Sequence, residues 1–92
     1  MVNSESLSVI REKMPASTYE QFHYHKKSQQ FFYILSGVAT FEIDEITLTV
    51  EPDNGIHIKP GVKHRILNNG FKDLEFLVIS EPRSHGDRFN IE

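Results

Sequence analysis

Apolar and β-branched residues occur in this chain only in short runs, and turn-forming residues separate nearly all of them. The runs cover 6–13, 18–26, 31–35, 38–43, 46–50, 56–59, 64–68 and 74–80. Ser36-Gly37, Asp44-Glu45 and Glu51-Pro52-Asp53-Asn54-Gly55 are typical turn-forming clusters. No stretch keeps a 3.6-residue period, and Pro15, Pro52, Pro60 and Pro82 break up what room a helix would have. Turn signals at spacings of about 8–12 residues in an all-strand pattern predict an all-β sandwich or barrel. The run LEFLVIS at 74–80 is apolar on both faces apart from Glu75, the pattern of a strand covered on both sides.

With 92 residues the chain is expected to form one domain, with 1–17 as an N-terminal strand or arm and 83–92 as a polar tail or edge segment. A domain this small gains from a bound metal or from pairing with a second copy. Ten basic and thirteen acidic side chains give a net charge of −3, with no basic block, which argues against nucleic acid as a partner. There are no cysteines, so disulfides and thiolate metal sites are excluded. No apolar run approaches the ~20 residues that cross a bilayer as a helix. Residues 1–8 lack the charged start and long apolar run of a secretion signal, and a cytoplasmic location is expected.

Two of the five histidines, His23 and His25, stand at i and i+2 in an expected strand. Alternate strand residues share a face, and the strand rise separates their Cα atoms by roughly 6.5–7 Å, close enough for two imidazoles to hold one ion. Two histidines on an exposed sheet face are the plain alternative, since short motifs recur by chance.

The surroundings of the pair favour the ion. His23-Tyr24-His25 is followed by Gln30, six residues and Gly37; later come Pro60-Gly61-Val62-Lys63-His64 and, after three residues, Asn68. This combination resembles the cupin family, whose two motifs read HxH, Glu, Gly and then PxG, His, Asn, and the resemblance extends over about residues 18–80. It implies a six- to eight-stranded jelly-roll β-barrel holding one divalent transition metal ion, with Fe, Ni, Zn and Mn all open. It makes His23, His25 and His64 ligands and puts Gln30 in the position of the usual glutamate. It also implies Gly37 and Gly61 in tight turns and Asn68 in a structural role at a strand end.

Gln30 departs from the pattern in a way that matters chemically. An amide offers a neutral carbonyl oxygen where a glutamate brings a negative charge, so a divalent ion among three neutral imidazoles keeps its full +2 and polarises bound water or anions more strongly. Lys59 and Asp53 replace a proline and a glycine of the family pattern in the second loop. If Gln30 points inward, Phe32 and Ile34 share its face. With Ile66 and His57 they are expected to line a pocket, His57 as a proton-transfer candidate; a packed or surface role is the alternative for His57.

Lys26, Lys27, Lys63 and Arg65 either steer an anionic substrate or simply solubilise the surface. Phe22 and Tyr24 point away from the histidines, which suggests that a second copy covers the outer face in a homodimer. His85 lies in the polar tail without an evident role. The resemblance implies a small-molecule ligand or substrate, and the first functional expectation is a metal-dependent enzyme of oxygenase or isomerase type. No acidic residue is clearly placed as its base. The alternatives are a non-catalytic small-ligand or sugar-binding module and a structural barrel with a vestigial site.

Overall fold

The computed structural model describes residues 6–82 and 86–91. Every regular element among them is a β-strand: β1 (Ser8–Met14), β2 (Thr18–Tyr19), β3 (His23–His25), β4 (Gln29–Ser36), β5 (Ala39–Ile43), β6 (Ile46–Val50), β7 (Gly55–Ile58), β8 (His64–Asn68), β9 (Leu74–Glu81) and β10 (Arg88–Asn90). They form two antiparallel sheets. One has the order β1-β9-β4-β7; the other runs β10-β3-β8-β5-β6, with β2 added against β8. No helix among the described residues is long and apolar enough to cross a membrane.

Strand alternation decides what enters the space between the sheets. In β4, Gln30, Phe32 and Ile34 are buried while Phe31 is exposed and Tyr33 half-buried. In β8, His64, Ile66 and Asn68 point inward, and in β9 so do Leu74, Phe76, Val78 and Ser80. Phe32, Ile34, Phe41, Ile66, Leu74 and Phe76 make most of the core. Phe32 meets Phe41 edge-on at 5.1 Å between ring centroids, a favourable aromatic geometry. The inner face of β9 is fully covered, whereas Leu77 and Ile79 on its outer face are only half-buried.

Two turns explain residues in the motifs. Gly37 has φ +84°, and a Cβ there would lie 2.8 Å from the Asp73 carbonyl oxygen, so both the backbone conformation and the close approach require glycine. Asp53, where the family pattern has glycine, has φ +65°; aspartate tolerates this left-handed conformation better than most residues. Asn68, almost wholly enclosed, donates to the carbonyls of Met14 (3.0 Å) and Lys72 (2.8 Å) and accepts the Gly70 N–H (3.0 Å). It ties β1, β8 and the 69–73 connection together.

One expectation needs correction. Residues 18–26 form two short strands, because Glu20 to Phe22 leave the ladder between β2 and β3. The polar end takes the form of an edge segment: β10 pairs with β3, and Phe89 stacks on Tyr24 at 5.4 Å. The outer face of Tyr24 is thus covered by the chain itself. His85 and the adjoining residues 83–84 lie outside the described residues, as do 1–5 and 92.

Candidate metal centre

β3 presents His23 and His25 inward, with Tyr24 between them facing out. The cross-strand partner of His23 in β8 is His64, so a third imidazole arrives on the same face. Ring centroids lie 4.4 Å apart for His23–His64, 5.2 Å for His23–His25 and 5.8 Å for His25–His64. One nitrogen from each ring falls within 4.8 Å of the others. All three rings are buried, at 2%, 5% and 1% exposure for His23, His25 and His64.

Hydrogen bonds set the tautomers. Each Nδ1 lies against a main-chain carbonyl: His23 against Gln21 (2.8 Å), His25 against Asp87 (3.1 Å) and His64 against Val62 (2.9 Å). A carbonyl only accepts, so each Nδ1 carries the proton and each Nε2 of the neutral ring is left with a lone pair. Among the described residues, His25 Nε2, His64 Nε2 and Gln30 Oε1 are buried with no hydrogen-bond partner. Gln30 Nε2 donates to Ser80 Oγ at 3.1 Å, which leaves its carbonyl oxygen as the free end. Buried acceptors without donors are costly, and a divalent cation held among them would satisfy them all at once. The donor set fits an imidazole-preferring transition ion, with the Nδ1–carbonyl bonds as the outer support such ligands need.

Burial pushes the His23 imidazole down to about 4, against the opposing hydrogen bond to Gln21, while His64 adds to the lowering. Burial also lowers His25 and His64, again outweighing the hydrogen bonds to Asp87 and Val62. At neutral pH the three rings are therefore uncharged, the form that binds a metal.

A cavity of about 290 Å³ opens beside these rings, lined by His23, His25, Gln30, Phe32, Val78, Ser80, Ile10, Glu12, Glu20, Gly86 and Arg88. Two carboxylates and one guanidinium therefore share a wall that also carries apolar side chains. Glu20 Oε2 lies 3.6 Å from Arg88 Nη1, and Glu20 Oε1 accepts the Ile66 N–H at 3.3 Å. Burial pushes the Glu20 carboxyl up, partly offset by Arg88 and Ile66.

The cupin-domain family model matches residues 10–80. The chain belongs to the cupin family. An uncharacterised protein of Methanocaldococcus jannaschii is 32% identical to this cupin over 81 residues, which are 87% of this chain and 65% of that protein. This cupin thus spans less than two thirds of that relative's length. A double-stranded β-helix protein from Klebsiella pneumoniae superposes with a TM-score of 0.88 at 18% identity, covering 99% of this cupin and 79% of that chain. A predicted oxalate decarboxylase from Thermotoga maritima has a TM-score of 0.77 at 27% identity, over 82% and 65% of the two chains.

Among the residues singled out in the sequence, His23, His25, His64, Gln30 and Phe32 come together in the cupin interior, Phe32 standing 6.2 Å from the His64 ring. Ile34 and Ile66 are fully buried in the apolar core instead of lining the cavity. His57 takes its surface alternative and not the pocket: it is exposed on the outer face and its Nε2 is 2.8 Å from Gln29 Oε1. Arg65 is engaged outward by Glu42 and lies over the Tyr19 and Phe22 rings, so it does not serve the cavity. The cation that does is Arg88. No motif or periodicity in the sequence marks Arg88, Glu20 or Ser80.

Proposed function

We propose that this cupin is a metal-dependent enzyme acting on a small organic molecule, of oxygenase or isomerase type. The observation that carries the proposal is the group of buried, unpartnered acceptors, His25 Nε2, His64 Nε2 and Gln30 Oε1, beside a cavity of about 290 Å³. His23, His25 and His64 would hold the ion, with Gln30 as fourth ligand. A divalent ion bound there supplies a Lewis acid and a template for substrate oxygens. Phe32, Val78 and Ile10 give the cavity its apolar surface and limit water. Glu20 provides the acid–base group that the sequence left unassigned: its half-buried carboxyl has a raised pKa, suited to accepting a proton from a bound molecule. Arg88 beside it favours an anionic group on that molecule. The resemblance to the Thermotoga protein, named for a decarboxylase of a small dicarboxylate, supports this class of ligand.

A second reading, a non-catalytic small-ligand or sugar-binding module, is favoured by the neutral amide of Gln30. Pairing into a homodimer is also proposed. Edge strand β6, with Ile46 61% and Leu48 42% exposed, offers an unpaired apolar border of the kind proteins cover.

The two readings separate in one experiment. Metal-loaded protein is incubated with a panel of small sugars, hydroxy acids and enediols, with NMR following deuterium uptake from D2O and an electrode following O2. Turnover that falls at least tenfold in Glu20→Gln, with metal content kept, supports the enzyme. Ligand binding without turnover of any compound supports the binding module.

A further inference from the structure

The three histidines are not supported alike. His23 and His64 each take the carbonyl of the residue two positions earlier, Gln21 and Val62, so their orientation is set locally. His25 leans on a distant residue, through the carbonyl of Asp87. Asp87 in turn is fastened beside His25. Its carboxylate accepts the backbone N–H groups of Lys26 (3.2 Å), Lys27 (2.8 Å) and Ser28 (2.9 Å), the three residues that follow His25. Ser28 Oγ also donates to the Pro82 carbonyl. The next residue, Arg88, pairs with His25 in the β10–β3 ladder and reaches the cavity wall.

We propose that Asp87 is a positioning residue of the metal centre. Its carboxylate clamps the turn after His25, and the clamp holds its own carbonyl against His25 Nδ1, fixing the ring's tautomer and direction. Charge-assisted bonds to three N–H groups are well suited to such a clamp. Metal affinity commonly falls 10–100-fold when the outer partner of a histidine ligand is lost. The inference rests on the metal-centre reading above and extends it to the C-terminal segment.

The test is a Co(II) titration of the full chain, read by ligand-field absorption, with circular dichroism of the metal-free proteins alongside. Asp87→Ala is expected to weaken Co(II) binding by about 10–100-fold and to change the absorption bands, with the β-sheet spectrum retained. Asp87→Asn, which keeps the shape and one acceptor oxygen, is expected to recover part of the affinity. In a His25→Ala background, Asp87→Ala is expected to cost nothing further, because it acts through His25. Asp87→Ala and Asp87→Asn proteins that bind Co(II) within twofold of the parent, with superimposable bands, would overturn the role of Asp87. If the Ala variant fails to fold, Asp87→Asn, alone and in the His25→Ala background, still decides. A parent protein that takes up no Co(II) would overturn the metal-centre reading itself.

Discussion

His23 and His64 face each other as a cross-strand pair of β3 and β8, their rings 4.4 Å apart at the centroids. His25, two residues along β3, completes a cluster of three imidazoles from which water is nearly excluded. Such a cluster tolerates little positive charge unless the charge is a shared ion. The consequences can be measured.

The first concerns acid. The unfolded chain takes up protons on these histidines near pH 6.5, whereas folded His23 resists until about pH 4, and His25 and His64 are also lowered. The unfolded state therefore binds more protons in that window, and stability present above pH 6.5 is lost as the pH falls toward 4. Urea titrations of metal-free protein should show a loss on the order of 2 kcal/mol from His23 alone. A stability flat from pH 7 to pH 4.5 would contradict the burial of neutral rings.

Gln30→Glu places a negative charge beside three neutral imidazoles, on the side chain whose carbonyl oxygen has no partner among the described residues. Mn(II) affinity, measured calorimetrically, should rise roughly tenfold, as expected for one added opposite charge at close range. An unchanged affinity would mean that position 30 does not face the ion.

Asn68 serves the barrel and not the metal. Asn68→Ala leaves the carbonyls of Met14 and Lys72 and the N–H of Gly70 without their buried partner, at a cost of about 2–4 kcal/mol. The thermal midpoint should drop by about 10 °C or more, while metal content at low temperature is unchanged. A drop of a degree or two would show that solvent or the neighbouring backbone takes over its bonds.

The sequence made legible those features that follow from strand period. His23 and His25 had to share a face, and Gln30, Phe32 and Ile34 likewise. What it hid depends on register or on irregular backbone. His57 alternates with two isoleucines, and nothing local says which parity enters the barrel. The pairing of Phe31 with His57, and of Gln30 with Ile58, puts Ile58 inside and His57 outside, since paired residues share a face. Glu20 lies where the chain leaves the ladder between β2 and β3, so no alternation predicts its direction. β10 is a polar, exposed strand held to β3 by backbone bonds and the Phe89–Tyr24 stack, neither of which leaves a hydrophobic pattern.

The metal centre is tested most directly by elemental analysis, using plasma mass spectrometry, of the purified, untagged protein with His64→Ala alongside. Near-stoichiometric iron, nickel, zinc or manganese is expected in the parent, with most of it lost in a variant that still folds as a β-barrel. Full metal occupancy in His64→Ala, or no uptake by the parent even after reconstitution, would contradict the metal-centre reading.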